Sequence, residues 1–295
     1  MARRNKYDLM SLEDLSYKSI RRFLLKFFDE HGYDTPGLDA KILIMDASQL
    51  SHADLLVESS TIPETRVIKK INEYMNKRIK GEPVDKIIGY KEFYGRKYKV
   101  SKNVLSPRPD TETLVDLALD EINKSGSKTV LELGTGTGSV IISIILEKKG
   151  VIATAVDISD DALKIAKYNA RVYSVSKRIN FFKSSWFETV SGTYDVIISN
   201  PPYISKMEMG LLSPEVSKFD PFISLYGGED GLAAYREIIN KAGSYLNPRG
   251  VVIFEIGYLQ AEAVTKLLLE GRFINISVSK DMSGNNRVIK AYKSK

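Results

Sequence analysis

The sequence predicts an α/β protein in parts, a helical front domain followed by an open, mostly parallel sheet with helices on both faces. Three observations lead there. The 295 residues are about twice an ordinary domain length. Ahead of residue 80 the apolar residues recur at three- and four-residue spacing, the period of a buried helix face. From Asp110 onward, helical stretches alternate with short β-branched runs. A composition of 43% hydrophobic and 27% charged residues is ample for a core and excludes a disordered chain.

The first element is an amphipathic helix between Ser11 and Glu30, with Leu15, Ile20, Phe23, Leu24, Phe27 and Phe28 on one face and Gly32 as its stop signal. Thr35-Pro36 and Thr61-Ile62-Pro63 punctuate two further helical stretches, the second running to about Lys80 with Val67, Ile68, Ile71 and Met75 on one face. Residues 1–80 therefore read as a small helical domain. Between Gly81 and Pro109 the runs Lys91-Glu92-Phe93-Tyr94-Gly95 and Lys97-Tyr98-Lys99-Val100 lie among glycines and prolines, so 81–109 reads as a connector containing a β-hairpin. Residues 110–295 form the sheet domain. Its strands are expected at Thr129–Leu133, Val151–Val156, Ile179–Phe182, Asp195–Ser199, Val251–Glu255, Phe273–Val278 and Val288–Tyr292. The first five read as buried parallel strands. Only Lys280 to Asn286 separates the last two, too little for a crossover helix, so they are expected to pair antiparallel at one edge.

The formal net charge is +6, concentrated in front: residues 1–110 carry 21 Lys and Arg against 16 Asp and Glu, the remainder 22 against 21. The absence of cysteine excludes disulfides, thiolate zinc sites, iron–sulfur clusters and cysteine nucleophiles. His31 and His52 are the only histidines, which excludes a multi-histidine centre; both read as surface or helix-end residues, and no metal site is expected. The start, Met1 to Asp8, is basic without an apolar run and does not read as a secretory leader. The longest apolar stretch, Val140 to Leu146, is far short of the roughly twenty residues of a membrane span. No membrane association and a cytoplasmic location are expected.

Strand Thr129–Leu133 runs into Gly134-Thr135-Gly136-Thr137-Gly138 and then a helix-forming segment. Three glycines allow a tight turn and close approach of a ligand to backbone N–H groups. The pattern is Glu132-x-Gly134-x-Gly136-x-Gly138. It has neither the G-x-G-x-x-G spacing of a dinucleotide turn nor the Lys-Ser/Thr pair of a phosphate loop. That favours S-adenosylmethionine over NAD or ATP, although the turn alone also fits a plain tight bend. Asp157 ends the next strand, where a carboxylate can accept hydrogen bonds from both ribose hydroxyls of an adenosyl group. A helix cap is its bland reading, but Ser159 or Asp160 caps that helix unaided. Trp186, the only tryptophan, follows the third strand and falls near the adenine in such an arrangement.

The sharpest signal is Asn200-Pro201-Pro202-Tyr203 at the end of the fourth strand. A planar amide or amino nitrogen is a poor nucleophile because its lone pair is delocalised, so methylating it requires fixing its orientation. The Asn200 side-chain oxygen and the Pro201 carbonyl can accept its two N–H groups, and Tyr203 can stack on the planar group. The same acceptors stabilise the nitrogen as it leaves planarity. The segment Pro107 to Glu112 reads equally as a helix start capped by Asp110 or Thr111 and is left outside the site.

These stretches, with Glu82-Pro83-Val84, Ile88-Gly89, Glu92-Phe93-Tyr94-Gly95, Pro107-Arg108-Pro109-Asp110-Thr111-Glu112, Gly227-Gly228-Glu229-Asp230-Gly231-Leu232 and Glu255-Ile256-Gly257, make the sequence resemble the HemK/PrmC family of glutamine-N5 methyltransferases. That family modifies the Gly-Gly-Gln motif of class 1 peptide chain release factors. The resemblance covers most of the chain. It implies a seven-stranded Rossmann-like class I methyltransferase sheet behind an N-terminal helical domain that docks the release factor. It further implies cofactor contacts at Gly134, Thr135, Gly136, Thr137, Gly138, Asp157, Trp186 and Asn200, and a substrate glutamine held by Asn200, Pro201, Pro202 and Tyr203. Two positions depart from the commonest pattern. Ser106 replaces an apolar residue, and Ser185 replaces an acidic one beside the adenine aromatic. A monomer without stable nucleic-acid binding is expected. The alternative is a methyltransferase acting on exocyclic amino groups of DNA adenine or ribosomal RNA guanine, since Asn-Pro-Pro-Tyr also occurs there. The long connection from Ile204 to Asp230 is expected to cover the substrate.

Overall fold

The computed structural model describes residues 8–294; the basic start, Met1 to Tyr7, lies outside them. The chain divides after Gly89 into two compact units.

The first unit is helical. α1 (Tyr17–Glu30) begins later than its apolar period suggests, because Leu9–Ser11 forms a separate 3-10 turn and the Ser16 side chain accepts from Ser19 N–H as the true cap. His31 closes α1, with Nδ1 at 2.7 Å from the Phe27 carbonyl. The single stretch expected after Pro36 is two helices, α2 (Pro36–Ser48) and α3 (His52–Val57). Gln49 adopts φ 60 between them, and a Ser51–Asp54 capping box restarts the chain. α4 (Thr65–Arg78) and α5 (Val84–Ile88) complete the unit, which therefore extends beyond residue 80. Its core gathers Ile20, Leu24, Phe28, Leu43, Ile44, Ile71 and Met75. The buried ion pair Arg78–Asp39, 2.8 Å, ties α4 to α2.

The second unit opens with the hairpin β1 (Tyr90–Phe93) and β2 (Arg96–Lys99), turned by Tyr94 and Gly95, both at positive φ. The hairpin is part of this unit's core, since Phe93 and Tyr98 are buried against α6 (Glu112–Ser125) and α7 (Ser139–Glu147). Tyr98 Oη lies 2.8 Å from Ser143 Oγ, and Glu112 accepts the Tyr94 backbone N–H at 2.7 Å.

The sheet strands are β3 (Thr129–Leu133), β4 (Ile152–Asp157), β5 (Ile179–Lys183), β6 (Tyr194–Ser199), β7 (Leu246–Glu255), β8 (Phe273–Lys280) and β9 (Asn286–Lys293). Their order is β5-β4-β3-β6-β7-β9-β8. The first five run parallel, and β9 is antiparallel to both β7 and β8, as the short connection dictates. α8 (Asp160–Val172), α11 (Ala233–Ala242) and α12 (Ala261–Glu270) join α6 and α7 as covering helices. Both sheet faces are dry: Val130, Ala153, Val196 and Ile253 serve one core, Leu131, Val156, Ile197 and Phe254 the other. Among the described residues no helix is long and apolar enough to cross a membrane.

Candidate active site

Strand order reverses at β3, with β4 on one side and β6 on the other, so the carboxyl ends of these three strands converge on one crevice. Gly134, Gly136 and Gly138 all sit at positive φ, at 72°, 55° and 76°. The Gly134 and Thr135 N–H groups both donate to the Val156 carbonyl at 2.9 Å, folding the turn back onto β4. Gly138 precedes α7; a Cβ there would lie 3.0 Å from Ile142 Cδ1 and 3.1 Å from Ala166 Cβ on α8, at φ 76, so a side chain would be both crowded and strained. Asn169 braces the turn from behind, donating to Thr137 O at 2.9 Å and to Lys99 O at 3.2 Å.

Asp157 stands at the end of β4 with Oδ2 accepting from Gly136 N–H at 2.8 Å and Oδ1 from Ser159 N–H at 2.9 Å. Each oxygen keeps a further lone pair. Ser159 caps α8 through Ala162 N–H, so the carboxylate of Asp157 is not needed as a cap. Burial raises its pKa against those backbone donors. Trp186, at φ 47, lies over the glycine turn, its Cζ3 3.7 Å from where a Gly134 Cβ would be. Glu132 is buried under the turn and accepts from the Thr135 hydroxyl. Burial pushes its carboxyl up to about 8.

β6 delivers the second half of the site. The Ser199 hydroxyl donates to Leu133 O at 2.7 Å, locking the end of β6 beside the start of the glycine turn. Asn200 follows at once. Its Nδ2 donates to Thr111 Oγ1 at 3.4 Å. Thr111 is the cap residue of α6 by position, yet its side chain makes no cap bond and is turned toward Asn200 instead. Pro201 is buried and Pro202 and Tyr203 half-buried. Burial, then the negative charge of Glu255, pushes Tyr203 up to about 12, so its hydroxyl stays neutral at all working pH.

Two groups that the sequence did not place hold this turn. Gln260 donates from Nε2 to Tyr203 O at 2.9 Å and to Gly231 O at 3.2 Å, while its Oε1 accepts from Gly257 N–H at 3.0 Å. Gly227 and Gly231 press on the same backbone: a Cβ on Gly231 would meet Tyr203 O at 2.4 Å, and one on Gly227 would meet Pro202 O at 2.7 Å. The glycines of Gly227 to Gly231 are thus a backing for the Pro-Pro-Tyr turn. Only a second such glycine stretch hinted at this in the sequence; Gln260 carried no signal. The connection between Ile204 and Asp230 is not structureless, for it contains α9 (Lys206–Met209) and α10 (Pro214–Phe219), and Arg108 anchors it through Asp220 at 2.7 Å. Met207, Leu211, Phe222 and Ile223 stand exposed along it.

The glycine turn, Asp157, Trp186 and Asn200 to Tyr203 are therefore brought to one end of one sheet. His31 and His52 are remote from it in sequence and lie in the helical unit, His52 at the exposed start of α3. Among the described residues no cluster of acidic and histidine side chains suited to a metal ion occurs.

Residues 108–212 match the methyltransferase small domain family, and residues 20–89 match the PrmC N-terminal domain. The chain is 38% identical to the release factor glutamine methyltransferase of Agrobacterium fabrum, over 88% of this chain and 91% of that one. It is 33% identical to the enzyme of the same name from Caulobacter vibrioides, over 88% and 90%. It also matches the bifunctional methyltransferase of Rickettsia prowazekii at 37%, covering 54% of that longer protein. Among solved structures, a Pyrococcus furiosus methyltransferase superposes with a TM-score of 0.51 at 19% identity, covering 70% of this chain and 92% of that one. The hMettl16 catalytic domain does so with 0.58 at 15%, covering 76% and 83%, which bears on the fold alone. By its similarity to the Agrobacterium and Caulobacter enzymes over about nine-tenths of each chain, the chain belongs to the release factor glutamine methyltransferase family.

Proposed function

We propose that this protein transfers a methyl group from S-adenosylmethionine to the side-chain amide nitrogen of the Gly-Gly-Gln glutamine in a class 1 release factor. The observation that carries the reading is the placement of Asn200 to Tyr203 at the end of β6, tied by Ser199 to the glycine turn on β3. A planar amide and an adenosyl group bound at these two neighbouring segments meet in one crevice.

Gly134 to Gly138, Asp157 and Trp186 would hold the adenosyl group. Asp157 offers its remaining lone pairs to the ribose hydroxyls, and Trp186 its ring to the adenine. When bound, S-adenosylmethionine supplies an electrophilic methyl on a positively charged sulfur. The chain's own task is orientation. The Asn200 side-chain oxygen and the Pro201 carbonyl accept the two amide hydrogens, and Tyr203 packs on the amide plane. As the nitrogen loses planarity its hydrogens become more acidic, so both acceptors bind it more tightly than in the ground state, and one of the two would pass to water as a proton once the methyl is attached, leaving a neutral N-methyl amide. The neutral Tyr203 hydroxyl adds no competing charge. The exposed apolar residues of the connection from Ile204 to Asp230, with the helical unit, would bind the release factor, and the enzyme acts as a monomer.

Incubation of unmodified release factor, total RNA and DNA with labelled S-adenosylmethionine tests this. Label is expected in the release factor alone; label in nucleic acid alone would overturn the substrate.

A further inference from the structure

Asn200 is useful to the proposed reaction in one of its two amide orientations only. With Oδ1 toward the substrate it accepts an N–H; flipped, it offers a second donor to a donor and repels the amide. The two orientations have nearly the same shape, so whatever hydrogen-bonds the other end of the side chain chooses between them.

That other end faces a buried carboxyl. Glu255 closes β7, the strand beside β6, and the pairing of Ser199 with Phe254 puts Glu255 level with Asn200. Its side chain is 2% exposed, and Oε2 has no hydrogen-bond partner among the described residues. An isolated carboxylate in such a place costs stability, and a leucine or glutamine would fill the volume without that cost. Packing does not account for it. The Thr111 hydroxyl and the Asn200 amide lie against its carboxyl and favour its charge. From the surrounding elements Arg287 on β9, Asp110 ahead of α6, Tyr203 after β6 and Tyr235 on α11 also face it. Arg287 is shared with Asp110 and Asp281, each at 3.1 Å, and so does not neutralise Glu255 by itself.

We propose that Glu255 is a positioning residue that sets the direction of hydrogen bonding at Asn200, turning Nδ2 inward and presenting Oδ1 to the substrate amide. The proposal rests on the glutamine-methylating reading. An ionised carboxylate only accepts. It draws the Thr111 hydroxyl proton toward itself, which leaves the Thr111 oxygen to accept from Asn200 Nδ2, the contact seen at 3.4 Å. A neutral carboxyl can donate instead, and the direction of the relay is lost. Burial holds Glu255 up to about 7, so the relay is set above that pH and released below it.

The test is Glu255→Gln, which keeps the shape and abolishes the charge, assayed on release factor with S-adenosylmethionine across pH 6 to 9. Wild type is expected to show a kcat that falls on the acid side of about 7. The variant is expected to lose about tenfold in kcat at pH 8, one hydrogen bond's worth. It should also lose the acid limb and leave the KM for S-adenosylmethionine unchanged. Its melting temperature at pH 8 should equal or exceed that of wild type, because a buried charge has been removed. Glu255→Asp should retain the limb and recover part of the rate. A Glu255→Gln enzyme with wild-type kcat and an intact limb, or one whose loss follows from lower melting or weaker cofactor binding, overturns the proposal. Wild type that methylates no release factor overturns the underlying reading instead.

Discussion

At the scale of single residues, the side chains of the site divide by the step that each serves. Asn200→Ala removes one of the two acceptors that strengthen as the nitrogen leaves planarity. It should lower kcat by about 100- to 1000-fold, as loss of one transition-state hydrogen bond does elsewhere. Calorimetry should show cofactor affinity retained, and an unchanged kcat would defeat the role given to Asn200. Asp157→Ala should do the reverse, weakening cofactor binding about 10- to 100-fold through loss of charge-assisted hydrogen bonds. Unchanged affinity would show the ribose assignment to be wrong. These residues were legible because their types, order and strand-end positions are local properties of the sequence. Thr111, Glu255 and Gln260 were not, or only as part of a familiar stretch. Each acts through a partner distant in sequence, Asn200 in the first case and the Tyr203 carbonyl in the last. For Thr111 the local signal even misled, since its position is a helix cap and its hydroxyl is spent elsewhere.

At the scale of elements, the Pro-Pro-Tyr turn is held by backbone contact with the glycines of Gly227 to Gly231. Gly231→Ala would place a Cβ 2.4 Å from Tyr203 O and 2.7 Å from Gln260 Nε2, at φ 76. The turn has to shift, and turnover should fall by more than the strain alone implies while cofactor affinity persists. Gly95→Ala is the control: φ is 68 but none of the described residues lies within 4 Å of the added Cβ, so only the left-handed strain of about 1–2 kcal/mol is expected. Comparing kcat and melting temperature for the two checks this; equal effects would remove the backing role. All seven sheet strands were legible from β-branched runs, and the antiparallel edge from the short connection. The extension of β7 back to Leu246 was not, because Asn247-Pro248-Arg249-Gly250 reads as a turn; these residues are an irregularity in the strand, which pairs with β6 on either side of it, at Leu246 with Tyr194 and at Val251 with Val196. The division of the second helical stretch depended on Gln49 adopting a left-handed conformation that no local pattern announces.

At the scale of the whole molecule, the helical unit and the sheet unit have cores that share no residue. Residues 90–295 expressed alone should fold and bind S-adenosylmethionine as the full chain does, while kcat/KM for the release factor falls. Failure of that fragment to bind cofactor would show that the units are not independent. The buried carboxyls set the pH response. Glu132 and Glu255 have folded pKa values of about 8 and about 7, raised by burial above the ordinary carboxylate range. The folded state therefore binds these protons more tightly than the unfolded chain. Their favourable contribution is complete at low pH and is lost as pH rises through about 7 and about 8. The acidic groups held low, such as Asp230 at about 2 through its hydrogen bond to Arg236, are ionised throughout this window and do not oppose the trend. The melting temperature should fall between pH 6 and 9, and Glu132→Gln should flatten much of the fall. A flat wild-type profile would contradict the burial of these charges.

Methylation of one amide nitrogen in this crevice leaves a covalent mark on the substrate. Tandem mass spectrometry of release factor incubated with the protein and S-adenosylmethionine tests it most directly, because fragment ions locate the modified side chain. A single added methyl on the glutamine of the Gly-Gly-Gln peptide, formed far more slowly with Asn200→Ala, is the predicted result. An unmodified glutamine, or a methyl on any other side chain, would contradict the account.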